Sequence, residues 1–282
     1  MFLIQLGISL IINGLGVAIA TLKKHLKFPS GSLAALIVGI SLFTFSFYSW
    51  ILLMTFFISS SLLTRFKSQL KVNIQDKFDK GGERDADQVF ANSGPTVVYA
   101  VLISLLSIPE LSSPFFIAIT AYFASVNADT FSTEIGILAK PPPRWILDPR
   151  RSVEKGTSGG ITLLGTLAGA FGALEIGFLL FIGTLIFPEP NLTPEKLGIA
   201  LGIVLVAGIC GNFIDSLLGA TVQGFYFCPT CQIGTEKRIH LKCGGSKTRL
   251  TRGWNKITND WVNFLAATSA SIIAFILAFS LT

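Results

Sequence analysis

Apolar residues run in long blocks along this chain, at roughly 2–21, 31–43, 48–63, 87–108, 114–138, 159–187, 197–222 and 260–281. A helix of about 20 apolar residues spans the roughly 30 Å hydrocarbon core of a bilayer. The blocks therefore predict about eight transmembrane helices. The stretch 31–63 is too long for one helix, and its aromatic-rich break, Thr44 to Trp50, predicts a short turn with Tyr48 and Trp50 at the membrane interface. Asp85 to Ser93 is polar, so the fourth helix is expected to start in the interface. The first block contains the triplet Ala18 to Ala20, but no basic segment precedes it, so it reads as a retained helix and not a cleaved signal.

Polar residues between the blocks fall into two alternating sets. The segments 22–30, 64–86, 139–158 and 223–259 carry 3, 6, 5 and 7 Lys or Arg; the other connections carry Lys196 alone. Basic loops mark the cytoplasmic side of a membrane protein. The alternation predicts an all-α polytopic bundle with the basic loops in the cytoplasm and both termini on the other side. It forms one integral membrane domain over 1–282, in the cell membrane or an equivalent organelle membrane.

Composition agrees with this reading. Half the chain is hydrophobic (51%) and only 13% is charged, against about 25% charged in a soluble domain. The net charge of +6 fits loops that meet anionic lipid, not a nucleic-acid surface.

Polar groups within spans are costly and mark function, and here they gather at the basic ends of four helices. Lys80-Gly-Gly-Glu-Arg-Asp85 is followed by Gln88 and Asn92, so that Arg84, Gln88 and Asn92 share one helical face. Asn127-Ala-Asp-Thr-Phe-Ser-Thr-Glu134 lies deep in an apolar block. Asp129 and Glu134 stand about 140° apart on an ideal helix. They serve one site only if the helix ends near Gly136 or the site wraps around it. Val153-Glu-Lys-Gly-Thr-Ser-Gly-Gly160 brings Lys155 and the backbone of Gly156, Thr157, Ser158, Gly159 and Gly160 to a helix start, a pattern that suits phosphate. Gly165, Gly169 and Gly172 read as a helix-packing face. Gly208, Asn212, Asp215 and Gly219 form a polar stripe, and Asn259, Asp260 and Asn263 open the last helix. Glu175 stands apart and receives no role.

Together these clusters set Asp129, Glu134, Asp215 and Asp260 beside Lys80, Arg84 and Lys155 at one membrane level. Acids, amides and cations in that mixture suit Mg²⁺ holding a polyphosphate, with Asp129 and Asp215 as the expected ligands. Asn92, Asn127, Asn212, Asn259 and Asn263 join the expected phosphate- or nucleotide-binding set. A transporter using buried acids remains open, although it has less need of glycine-rich basic loops.

The cysteines form a separate group. Cys228-Pro-Thr-Cys231, His240 and Cys243 follow C-x2-C-x8-H-x2-C within the basic loop 223–259. Two such knuckles suit a structural Cys₃His zinc site, expected to be dispensable for chemistry. Cys210 reads as a buried small apolar residue, and His25 as interfacial.

Five of these segments resemble the DUF92 family of membrane proteins: Gly81-Gly-Glu-Arg-Asp-Ala-Asp-Gln-Val-Phe-Ala-Asn92, Asn127-Ala-Asp-Thr-Phe-Ser-Thr-Glu134, Glu154-Lys-Gly-Thr-Ser-Gly-Gly160, Gly211-Asn-Phe-Ile-Asp-Ser-Leu-Leu-Gly-Ala-Thr221 and Asn259-Asp-Trp-Val-Asn263. They occur in the same order over most of the chain. The resemblance implies a kinase that converts a prenyl monophosphate, such as phytyl phosphate, to the diphosphate. A nucleoside triphosphate such as CTP would be the donor, and the prenyl tail would stay among the apolar helices with its phosphate at the cytoplasmic surface, membrane lipids being further partners. A lipid cytidylyltransferase and a transporter of a phosphorylated metabolite are the alternatives that stay open.

Overall fold

The computed structural model describes residues 2–75, 82–106, 108–186 and 192–280. Its helices are α1 (Phe2–Leu22), α2 (Ser30–Phe45), α3 (Phe47–Arg65), α4 (Ser68–Gln75), α5 (Ala86–Leu106), α6 (Pro109–Gly136), α7 (Leu163–Ile186), α8 (Pro194–Thr221) and α9 (Asn259–Phe279). Among the described residues seven are long and apolar enough to cross a membrane. The eighth apolar helix, α2, has 16 residues and so rises only about 24 Å. The short helix α4 lies inside a loop expected to be irregular.

α6 runs through the middle of the bundle and packs against α3, α5, α7, α8 and α9. Its run from Phe116 to Ala128 is buried almost throughout. The helix is satisfied by small contacts instead of a polar–apolar division. A Cβ added at Gly165, Gly169 or Gly172 of α7 would lie within 3.0 Å of α6 atoms. These glycines let the two helices approach closely, as their spacing suggested. On the other side of α7, Leu167, Phe171, Leu174 and Phe178 are exposed, as a lipid-facing side should be.

The break between α2 and α3 is tighter than expected. Ser46 alone is extended, and its hydroxyl accepts a hydrogen bond from Ser49 N. Tyr48 is not interfacial: it is buried, stacks on Phe116 with centroids 4.0 Å apart and shares a hydrogen bond with Thr120. An aromatic near a helix start can face a neighbour as readily as a headgroup, and only the packing of α3 on α6 decides which. Cys210, expected to be buried, is exposed.

Two small β units cover one end of the bundle. The first joins β1 (Arg144–Trp145), β2 (Asp148–Ser152) and β3 (Gly160–Ile161) in the order β2-β1-β3. The second follows α8. It contains β4 (Phe225–Cys228), β5 (Ile233–Thr235), β6 (Ile239–His240), β7 (Ser246–Lys247) and β8 (Arg249–Arg252), arranged as a β5-β4-β8 sheet and a β6-β7 hairpin.

Candidate functional site

All four basic loops meet at that end. The extended segment around Leu26 pairs with Arg84: Arg84 N donates to His25 O at 3.0 Å, and Lys27 N donates to Arg84 O at 2.9 Å. Arg65 donates to Lys23 O, and Arg252 donates to Ser158 O at 2.9 Å and Gly219 O at 3.1 Å. Between these loops and the ends of α5, α6, α8 and α9 lies a polar cleft of about 300 Å³, within the size range of small-molecule sites.

The cleft wraps around the last turns of α6. Asp129 faces α8, where its carboxyl group adjoins that of Asp215. Glu134 faces the other way. It accepts from Thr64 Oγ1 of α3 at 2.9 Å and pairs with Lys71 of α4 at 2.6 Å. Their wide angular separation on α6 thus directs the two acids to different neighbours, yet both line one cleft. With its amide nitrogen turned inward, Asn263 donates to Asp215 Oδ2 at 2.9 Å and Asn259 O at 3.2 Å. Glu236, which sequence reasoning did not select, also reaches the cleft and accepts from Ser158 Oγ at 2.8 Å.

The chemistry of this donor set fits a hard divalent cation. Two adjoining carboxyl groups, with that of Glu236 nearby, repel strongly when ionised. Oxygen ligands and a net negative site are what Mg²⁺ takes. Asp260 is buried and lines the same cleft, but its carboxylate gathers with those of Asp85 and Asp87, all within 4.8 Å. It belongs to a second acidic group, contributed by the starts of α5 and α9.

Across the cleft lie groups suited to phosphate. Arg84 donates to Ser60 Oγ at 2.9 Å and Ser61 Oγ at 3.2 Å and stacks over Phe57 at 5.4 Å. Burial pushes its pKa down to about 10, an effect partly opposed by Glu134, so it stays charged at neutral pH. Asp85 and Gln88 cap α5 reciprocally, with Gln88 N donating to Asp85 Oδ1 and Asp85 N to Gln88 Oε1. That cap orients the face carrying Arg84, Gln88 and Asn92, all three of which line the cleft.

The loop Gly156, Thr157, Ser158, Gly159 and Gly160 forms another wall. Gly159 has φ +85°, and a Cβ there would overlap Ala220, so both backbone angle and space demand glycine. The loop does not run straight into a helix start, because β3 and Thr162 intervene. Thr162 caps α7 by accepting from Gly165 N at 2.9 Å.

Three other residues sit differently from their expected roles. Lys155 lines the cleft, but its ammonium donates to the carbonyls of Ile137 and Ala139 at the end of α6. Asn127 is fully buried outside the cleft. It donates to Gly172 O and Glu175 Oε2, both at 2.9 Å, and accepts from Ser59 Oγ. This also gives Glu175 a place as an interhelical acceptor. Asn212 is buried against Gly169 of α7, again away from the cleft. Helical periodicity put both amides near the site level, but α7 claims their faces. Asn259 and Asn263 do line the cleft; Lys80 lies outside the described residues.

Sequence reasoning missed Lys71, Glu236 and Arg252. Lys71 and Arg252 carry no motif. Glu236 had one available signal: it is the lone acid among the seven Lys and Arg of 223–259.

The cysteine group lies beside the cleft, in the unit that carries Glu236. Cys231 and Cys243 are joined as a disulfide. Cys228 Sγ is 3.8 Å from Cys243 Sγ, and His240 Nδ1 is 2.9 Å from Cys243 Sγ and 3.5 Å from Cys231 Sγ. The four donor atoms all lie within 4.8 Å of one another, compact enough to surround one tetrahedral ion if the thiols are reduced.

A bundle of apolar helices with its charged groups collected over one terminal cleft defines a polytopic integral membrane protein. The chain belongs to the DUF92 family of integral membrane proteins, whose model matches residues 12–271. It is 30% identical to the protein named PGR of Arabidopsis thaliana, over 96% of each chain. It is also 34% identical to an uncharacterized membrane protein of Methanocaldococcus jannaschii, over 78% of this chain and 84% of that one. No solved structure matches.

Proposed function

We propose that this protein is a lipid-monophosphate kinase, acting on a prenyl monophosphate such as phytyl phosphate with a nucleoside triphosphate as donor. The observation that carries the reading is the presence in one cleft of the Asp129–Asp215 pair, Arg84 and the Gly156–Gly160 loop. Acidic oxygens and anion-binding groups share one cleft at the end of an apolar bundle. An amphiphile with a phosphate head can use that arrangement, whereas a wholly soluble substrate has no need of the bundle.

In this reading an oxygen of the lipid phosphate attacks the γ-phosphorus. The bond from that phosphorus to the β,γ-bridging oxygen breaks, and the nucleoside diphosphate leaves. The acceptor is already an anion, so no strong general base is required, and alignment with charge neutralisation dominates. Asp129 and Asp215, supported by Asn263 and Glu236, would hold Mg²⁺, which when bound offsets the charge on the phosphates. Arg84, Gln88 and Asn92 bind the acceptor phosphate. The loop 156–160 receives the donor's phosphates through backbone N–H groups other than those of Thr157 and Gly160, which donate to Glu154 O and Thr157 O, while Lys155 fixes that loop to the end of α6. Asn259 and Asp260 line the cleft at the start of α9. The Cys228, Cys231, His240 and Cys243 group, reduced, holds structural zinc and braces the unit that presents Glu236.

Purified protein incubated with prenyl monophosphates and each nucleoside triphosphate tests this by mass spectrometry. A prenyl diphosphate with stoichiometric nucleoside diphosphate is the expected product pair. Pyrophosphate with a nucleotidyl-lipid would replace the reading with a cytidylyltransferase. Uptake of a phosphorylated metabolite into proteoliposomes without nucleotide turnover would replace it with a transporter.

A further inference from the structure

A second cavity, of about 340 Å³, lies among α1, α2, α3 and α5. Its wall is apolar along most of its extent, with Val17, Val38, Leu53 and Phe57 among the lining residues. At one end the lining changes to Arg84, Gln88 and Asn92, which also line the polar cleft, as does Phe56. The apolar cavity and the acidic cleft therefore share a polar threshold.

The cavity also reaches the lipid-facing side of the bundle. α1 is held to α3 by two separated hydrogen bonds. Trp50 Nε1 donates to Asn13 Oδ1 at 3.0 Å at one level, and Arg65 donates to Lys23 O near the cleft. Between these levels Gly16 and Ile58 line the cavity and are exposed outward. A chain diffusing in the bilayer would meet an apolar opening between the two helices.

We infer that the space between α1 and α3 receives the hydrocarbon tail of the lipid phosphate, with Arg84, Gln88 and Asn92 holding its phosphate where cavity and cleft meet. This rests on the kinase reading and deepens it by assigning the tail a path and the acceptor phosphate one side of the cleft. A tail already in lipid loses nothing by entering an apolar cavity, and what draws the molecule there is its phosphate meeting the cationic Arg84 and two amide side chains. The remainder of the cleft, toward Gly156–Gly160, is left for the donor.

Gly16 provides the test, because a Cβ there has nothing within 4 Å. Gly16→Phe can fill the opening without displacing backbone. For a long prenyl phosphate such as geranylgeranyl phosphate, kcat/KM should fall about tenfold or more, the scale of crowding a fitted apolar site. Dimethylallyl phosphate, too short to extend along the cavity, should be turned over as by wild type. A long-chain monophosphate carrying a photoreactive diazirine in its tail, applied to wild-type protein, should label α1, α3 and α5. Unchanged long-chain kinetics in a folded Gly16→Phe protein, or tail labelling confined to α7, α8 and α9, overturns the assignment while leaving the kinase reading intact. Absence of diphosphate product from wild type with every prenyl phosphate overturns the kinase reading instead. The labelling map then still reports whether a phosphate-headed amphiphile enters this cavity.

Discussion

Replacing Asp129 or Asp215 by Asn distinguishes a metal site from interhelical bonding. The two carboxyl groups adjoin, and Asn263 donates to Asp215. Asn preserves size and hydrogen-bonding capacity but removes one negative charge. Two unit charges about 4 Å apart repel by roughly 4 kcal/mol at an effective dielectric of 20, a ceiling for what the change relieves in the metal-free protein. Each variant should therefore melt in detergent no lower than wild type without Mg²⁺, and should lack the rise in Tm that Mg²⁺ is expected to give wild type. Turnover should fall about 10²–10³-fold, as expected for losing roughly 3–4 kcal/mol of transition-state stabilisation. The assay is Mg²⁺-dependent formation of prenyl diphosphate at saturating substrates, with melting measured on the same preparations. Near-normal turnover in both variants, or an Mg²⁺-induced stabilisation that survives in both, refutes the ligand assignment.

Lys71 is fully buried and Glu134 is 18% exposed, so Glu134→Gln should cost about 3–5 kcal/mol by stranding the ammonium, whereas adding Lys71→Met should recover most of it. If the double variant is refolded but inactive, Glu134 acts in the chemistry and not only in the ion pair. Protein purified under reducing conditions should contain about one zinc per chain, as expected for a closed Cys₃His site; elemental analysis finding none, or undiminished zinc after Cys228→Ser with Cys231→Ser, removes that assignment. Tags at both termini and in loop 188–196 should be reachable from outside intact cells, and tags in 64–86 and 223–259 should not; a protected C-terminus contradicts the orientation drawn from the basic loops.

The helical blocks were legible because a bilayer admits few ways to satisfy a long apolar backbone. The segments with paired Gly, Asn and Asp were legible for a similar reason: such residues are costly at membrane depth unless they serve a site or a close helix contact. The periodicity of Arg84, Gln88 and Asn92 was enough to place them on one wall, and the glycine spacing on α7 foretold its approach to α6. Asn127, Asn212 and Tyr48 were misjudged because one helix's periodicity gives a face but not the neighbour against which that face turns.

Sequence alone determined the membrane class, the set of apolar helices and most of the polar groups at their basic ends. Local hydropathy and short motifs suffice for those. Tertiary structure decided that Asp129 meets Asp215 while Glu134 meets Lys71, that Glu236 arrives from the cysteine-bearing unit, and that the acidic cleft adjoins an apolar cavity. Each depends on which helices become neighbours, a result of side-chain packing across distant segments, and no local pattern carries that information.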